Sequence, residues 1–279
     1  MFDPGPKAAG PRPPVWKRWV SGAGAASAHF ITDLTTQISF SGELAVILLN
    51  ALIHPRRFRW KDTMMVLERA GPNAVGIVFL VSILLGLILA FQSAIPMQRF
   101  GAQIYVIDIV AVAVTRELGP LITAILLAGR SGTAFAAELS TMKINEEINA
   151  LTTLGLEPVR FLVGPRVMAA VAAMPLLVLV SDFAAILGGG LVMKSFGFTS
   201  VIYLHELRQA VNLGDILGGL FKSLFFGLLV AGIGCLRGFQ AGLGAQSVGI
   251  SATRAVVSGI VLILILDGIF STVFYYLGI

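Results

Sequence analysis

The sequence has little of what most catalytic sites are built from. It contains one cysteine and three scattered histidines (His29, His54 and His205), and only 13% of its residues are charged. A single cysteine, Cys235, cannot form an internal disulfide, so cysteine usage does not indicate a redox compartment. No HExxH or CxxC metal-binding spacing and no GxxxxGK[ST] phosphate loop occurs. We therefore expect no enzyme activity and no cofactor on this chain.

Apolar residues are abundant instead. Hydrophobic residues make up 56% of the 279 positions, 31 residues are glycine, and the mean hydropathy is +0.88. This composition is typical of an integral membrane protein, in which glycines allow close helix packing. The net charge of +5 does not indicate nucleic acid binding, because the basic residues lie beside apolar runs, where they set membrane orientation.

Five segments are long and apolar enough to span a bilayer, which requires about 20 residues as a helix. The sequence thus predicts an all-α integral membrane protein whose spans cover about 73–96, 104–129, 165–193, 215–236 and 255–278.

The region before the first span divides in two. Residues 1–14 are rich in proline and are expected to form a disordered tail, whereas 15–72 form an N-terminal region that precedes the five-span domain, 73–279. The apolar run 41–54 is too short to cross and is followed by basic and aromatic residues. This pattern fits an amphipathic helix in the membrane interface, or equally a helix packed on the cytoplasmic side of the bundle.

Basic residues predict the orientation. With a cytoplasmic N-terminus, regions 1–72, 130–164 and 237–254, together with Arg166 at a segment edge, hold fifteen lysines and arginines, against three on the other side. The positive-inside rule then places the N-terminus in the cytoplasm and the C-terminus outside, in the periplasm of a Gram-negative cell.

The predicted cytoplasmic loop between the second and third spans has helical periodicity over 137–158. Gly155 and Pro158 are typical stop signals. An apolar stripe recurs at helical spacing, at Leu139, Met142, Ile148, Leu151 and Leu154. Charged residues lie between its members, at Glu138, Lys143, Glu146 and Glu147. A passive connector and a docking helix for a cytoplasmic protein both fit this pattern.

Four ionisable residues lie deep in predicted spans: Arg116, Glu117, Lys222 and Asp267. Each costs about 2.5–3.5 kcal/mol at a helix centre, so pairing is expected. At 1.5 Å per residue, Glu117 and Lys222 lie about 20 and 10 Å from the outer ends of their spans and Asp267 about 18 Å from its inner end. Two interpretations fit these depths: a charged cluster that lines a cavity, and a static set of ion pairs that joins three helices. Pro120 predicts a bend beside it.

The run RELGPLITAILLAGRSGTAFAAELSTMKINEEINALTTLGLEPVRFLVGPR, 116–166, resembles MlaE-type permeases, the membrane subunits of ABC transporters that move phospholipids together with MCE-domain proteins. The stretches FKSLFFG (221–227), GAQSVGISATRAVV (244–257) and LDGIF (266–270) support the resemblance, which extends from about residue 40 to the C-terminus.

The resemblance implies a homodimer of five-span subunits with an N-terminal interfacial helix. It implies that 137–158 is a coupling helix, on which Glu138, Lys143, Glu146, Glu147 and Leu151 face a cytoplasmic ATPase that holds ATP and Mg²⁺. The family's buried charge cluster corresponds to Arg116, Glu117, Lys222 and Asp267. A lipid pocket that opens outward beneath a periplasmic MCE protein would involve Leu89, Gln92 and Phe100.

The expected function is therefore that of a permease subunit in a bacterial inner membrane, which moves phospholipid between the inner and outer membranes. Two alternatives stay open at this point. One is a proton-coupled secondary transporter that uses Glu117 and Asp267, and the other is a membrane scaffold without transport. A coupling helix would distinguish the permease of an ATP-driven transporter from the secondary transporter and from the scaffold.

Overall fold

The computed structural model describes residues 59–278 together with Thr35, 38–40, Gly42, Leu44 and 46–47. The predicted tail, 1–14, and most of the predicted interfacial region, 15–72, lie outside the described residues. The described residues from Gly42 to Gly278 belong to one compact unit.

The described part of the chain is built from helices and contains no strand. Three wide π-helical turns interrupt the α-helices, at Val114–Leu118, Ala128–Gly132 and Val159–Val163. The α-helices are α1 (Trp60–Gln98), α2 (Tyr105–Ala113), α3 (Gly119–Leu127), α4 (Thr133–Ile144), α5 (Glu147–Thr153), α6 (Gly164–Ser195), α7 (Ser200–Ala210), α8 (Leu213–Phe239) and α9 (Ala245–Leu277).

Five continuous helical stretches are long and apolar enough to cross a membrane, which confirms the predicted all-α membrane fold. They are called spans one to five: Trp60–Gln98, Tyr105–Ile144, Val159–Ser195, Leu213–Phe239 and Ala245–Leu277. Span two joins α2, α3 and α4 through two π turns, and such turns occur often at functional sites.

Spans three and four form the centre of the bundle, because half of each apolar window is buried. Their core contains Met174, Phe226 and Val230, which pack with Ala124 of span two and Ile263 of span five. Span five is buried over only 17% of its window, so most of its apolar surface faces outward.

Spans one and three cross at backbone contact distance. A Cβ atom built on Gly86 would lie 1.9 Å from the carbonyl oxygen of Ala185, and one on Gly188 would lie 2.1 Å from that of Ile83. No side chain fits in this space, so the two glycines set the spacing between the spans, as small residues do where membrane helices pack closely.

The bundle has two chemically different ends. The basic end contains the start of span one, the connection between spans two and three, and the loop between spans four and five, with Arg59, Arg130, Lys143, Arg160 and Arg166. The opposite end contains α7 and the end of α1.

Candidate functional site

A buried lysine lies at the centre of the predicted charge cluster. The Lys222 side chain is 0% exposed, and its Nζ donates to Glu117 Oε2 at 2.5 Å and to Asp267 Oδ1 at 3.2 Å. These three residues come from spans four, two and five. One ammonium group therefore joins three membrane helices, as the depths along the spans predict.

Local structure positions the Glu117 carboxylate. Glu117 lies in the π turn Val114–Leu118, directly before Gly119 and Pro120, where the proline lacks an N–H for the regular helical hydrogen bond. Ser271, one turn beyond Asp267, places its hydroxyl 3.1 Å from Glu117 Oε1. The wide turn and the serine thus aim the carboxylate at Lys222.

Arg116, the fourth predicted member of the cluster, contacts a different acid. Its Nη1 lies 3.5 Å from Asp215 Oδ1, at the start of span four. Asp215 also completes the capping box of α8, since it accepts from the Asn212 N–H at 3.1 Å. Asp215 was not among the predicted site residues.

The triad of Glu117, Lys222 and Asp267 has two carboxylates against one ammonium. The Glu117 and Asp267 side chains are 30% and 14% exposed, so the carboxylates lie nearer the bundle surface than the lysine. The ring of Phe274 lies 5.5 Å from Lys222 Nζ and forms an aromatic side of the site. This arrangement holds three spans together and places both acids nearer the surface than the lysine.

A second buried acid, Asp182 of span three, was missed by the sequence analysis. It is 7% exposed, and its Oδ1 has no hydrogen-bond partner among the described residues. A Cβ atom on Gly119 would lie 1.9 Å from that oxygen, so the carboxyl group packs against the glycine beside Glu117. The signal was present in the sequence, because the acid interrupts the apolar run LVLVSDFAAIL.

The segment 137–158 contains two helices rather than the single helix predicted. α4 continues span two as far as Ile144, Glu146 adopts a left-handed conformation with φ of 60°, and α5 follows over Glu147–Thr153. The predicted stop holds, since Gly155 has a φ of 75° and donates its N–H to the Thr152 carbonyl. The break between α4 and α5, at Asn145 and Glu146, contains no glycine or proline, so the sequence did not indicate it.

Two of the predicted coupling residues bind the bundle itself. Lys143 donates to the carbonyl oxygens of Phe239 at 2.6 Å and Ala241 at 2.8 Å, where span four ends. Glu138 accepts from Arg166 of span three at 3.1 Å. Both contacts anchor the connection between spans two and three to neighbouring helices.

Replacing Lys143 with methionine is expected to lower the free energy of unfolding by about 1.5 kcal/mol, since carbonyls at a helix C-terminus lose a charged donor. The transition on titration with denaturing detergent measures this loss. Lys194→Met, a lysine change at the opposite end, serves as the control. Equal stability of the two variants would contradict the capping role.

The other coupling residues face outward. Glu146 and Glu147 are exposed and Leu151 is half-buried, so α5 and the turn before it present two acids and part of an apolar face at the basic end. Glu146 contacts the side-chain amide of Asn149, which holds the turn before α5 in place. A partner could reach this surface without unfolding the bundle.

The three predicted lipid residues are in different environments. Leu89 packs with the core cluster near the opposite end, Gln92 is exposed, and Phe100 is 81% exposed beyond the end of α1. Gln92 and Phe100 are exposed, whereas Leu89 is half-buried. Among the described residues, no group of three His, Cys, Asp or Glu side chains could hold a metal ion.

These features define a helical multi-pass membrane protein with an ionic centre and an exposed connection at its basic end. The chain belongs to the MlaE permease family, because residues 63–273 match the family described as Permease MlaE. It is a permease subunit of an ABC transporter, and membership in such a family implies an ATPase partner.

Named relatives agree with this assignment. A probable ABC transporter permease protein of Rickettsia typhi is 40% identical over 70% of this chain and 76% of its own length. The intermembrane phospholipid transport system permease protein MlaE of Haemophilus influenzae is 30% identical over 90% of this chain and 99% of its own. The chloroplastic protein TRIGALACTOSYLDIACYLGLYCEROL 1 of Arabidopsis thaliana is 34% identical over 84% of this chain and 66% of its own.

Proposed function

We propose that the chain is the permease of an ATP-driven phospholipid transporter in a bacterial inner membrane. Its basic end faces a cytoplasmic ATPase that holds ATP and Mg²⁺, and its opposite end faces a periplasmic MCE-domain protein. This orientation puts the N-terminus in the cytoplasm and the C-terminus in the periplasm, as the positive-inside rule requires. Lipid then moves between the inner and outer membranes.

The observation that carries the proposal is the anchored, exposed connection at the basic end. Glu146 and Glu147 are exposed at the start of α5, while Lys143 and Glu138 tie the adjoining α4 to spans four and three. Force applied to α5 therefore reaches the bundle through short polar contacts. A coupling element needs this combination of accessible surface and firm attachment.

The exposed apolar surface of span five supports a homodimer. Its window is buried over only 17%, against half for spans three and four. In a dimer, a second copy would pack on part of this surface, and a pocket between the copies would open toward Gln92 and Phe100 at the opposite end. Phospholipid is proposed as the substrate because the Haemophilus relative is named for its transport.

Reversing the charges in the double variant Glu146→Lys/Glu147→Lys is expected to abolish co-purification of the ATPase. The physical reason is that each change replaces attraction at the docking surface by like-charge repulsion. The measurement is the ATPase recovered with affinity-tagged permease from detergent-solubilised membranes.

The matched control is Glu206→Lys, a charge reversal on α7 at the opposite end, which should leave ATPase recovery unchanged. Both variants should remain folded and show one melting transition in detergent, because Glu146 and Glu147 are exposed and Glu206 is only half-buried. Full ATPase recovery with the double variant would refute docking at α5.

A further inference from the structure

A cavity opens at the basic end, where span one begins, span two ends and span three begins. Its volume is about 480 Å³. Ligand pockets for small molecules and headgroups have volumes of about 300–1,000 Å³. The cavity lies at the opposite end of the bundle from Gln92 and Phe100, so it is separate from the proposed transport pocket.

One part of the lining is apolar. Met65 and Val66 of span one, Phe135 of span two, and Phe161 and Leu162 of span three contribute to it. Met65 is also exposed on the outer surface of span one, so the apolar lining continues toward the lipid-facing side of the bundle. Such a lining suits the glycerol and upper acyl region of a lipid.

The charged part of the lining holds three arginines and two acids. Arg59 pairs with Asp62 at 2.7 Å, and Arg166 pairs with Glu138 at 3.1 Å. The third, Arg130, is exposed, and its guanidinium group has no hydrogen bond or ion pair within the described part of the chain. The cavity therefore carries one surplus positive charge in a form suited to bidentate binding of phosphate oxygens.

The backbone fixes where Arg130 sits. Arg130 lies in the π turn Ala128–Gly132, and the hydroxyl of Thr133 lies 2.8 Å from the Gly129 carbonyl oxygen and 2.7 Å from that of Arg130. These contacts tie the Thr133 side chain to the backbone of the turn. The arginine thus projects from a braced turn rather than from a free loop.

We propose that this cavity binds the phosphate headgroup of an anionic phospholipid from the leaflet at the basic end, with Arg130 as the principal cation. The apolar lining and the depth at the ends of three spans favour a lipid over a soluble phosphate. The bound lipid joins the start of span one to spans two and three, beside the Glu138–Arg166 contact that anchors the connection. The inference rests on the membrane fold and not on the proposed transport activity.

The test measures lipid retention. Wild-type and variant chains are placed in nanodiscs of phosphatidylcholine with a minor fraction of phosphatidylglycerol, and native mass spectrometry counts the phosphatidylglycerol bound after release. Arg130→Gln is expected to weaken retention about tenfold, the effect of losing one charge-assisted contact. The matched control is Arg160→Gln, which removes an exposed arginine at the same end but outside the cavity and should lose only the general attraction to anionic lipid.

Equal retention by the two glutamine variants would overturn the proposal. If inorganic phosphate raises the melting temperature of the wild type in pure phosphatidylcholine, and Arg130→Gln removes that effect, the site binds a soluble anion and the lipid assignment fails. Should Arg130→Gln not fold, Arg130→Lys replaces it. The lysine variant keeps the positive charge but cannot donate two parallel hydrogen bonds to a phosphate, so it is expected to retain less lipid than wild type. Retention at the wild-type level would contradict the proposal.

Discussion

Replacing Lys222 with methionine is expected to lower the free energy of unfolding by about 3–5 kcal/mol, the cost of breaking a buried ion pair by removing one partner. The change leaves the Glu117 and Asp267 carboxylates beside each other without the ammonium that both contact. Methionine fills a similar volume, so the loss reports charge rather than a cavity. Unfolding by denaturing detergent, followed by helical circular dichroism, measures it.

Removing the partners as well should restore stability. The triple variant Lys222→Met/Glu117→Gln/Asp267→Asn leaves no unpaired charge in the triad and is expected to recover most of the loss. A double change of Lys222 and Asp267 alone should recover less, because Glu117 then keeps its charge with Ser271 as its neighbour. A triple variant as unstable as Lys222→Met would rule out pairing as the source of the effect.

Substituting Gly86 by alanine is expected to destabilise the chain by about 3 kcal/mol, at the upper end of typical overpacking effects. The added Cβ would lie 1.9 Å from a backbone oxygen of span three, and backbone cannot turn aside as a side chain can. Spans one and three must then separate along their crossing. Melting temperature in detergent measures the loss.

Gly76→Ala provides the matched control on the same helix. A Cβ on Gly76 meets nothing within 4 Å, and alanine is favoured over glycine in a helix interior by about 0.5–1 kcal/mol. The control should therefore be as stable as wild type or more so. Equal destabilisation of both variants would contradict the role of the crossing, since helix propensity favours alanine at both positions.

The spans and the depth of the charges within them were predictable, because both depend only on positions counted along the sequence. Apolar length identifies a span, and a constant rise per residue gives depth, which placed Lys222 near Glu117 and Asp267. The direction of a side chain around the helix axis is a different matter. The π turn at Val114–Leu118 changes that direction, and no composition signal marks it, so the partner of Arg116 was not predictable.

The connection between spans two and three, at the basic end, was also only partly predictable from the sequence. The helical period continued through Asn145 and Glu146, yet the chain turns there, and Lys143 finds its carbonyl partners where span four ends and the next loop begins. Those partners lie about a hundred residues away in sequence, and only the three-dimensional path brings them together. Asp182 differs, because its place in a predicted span was readable and was overlooked.

The central claim, that this chain carries phospholipid under the control of a docked ATPase, is tested most directly by reconstitution. The permease, its ATPase and its MCE-domain partner are placed in proteoliposomes, and transfer of radiolabelled phosphatidylglycerol to acceptor vesicles is followed with and without ATP. The account predicts ATP-dependent transfer that is lost in the variant Glu146→Lys/Glu147→Lys. Transfer that is the same without ATP, or that follows an imposed proton gradient instead, would contradict it.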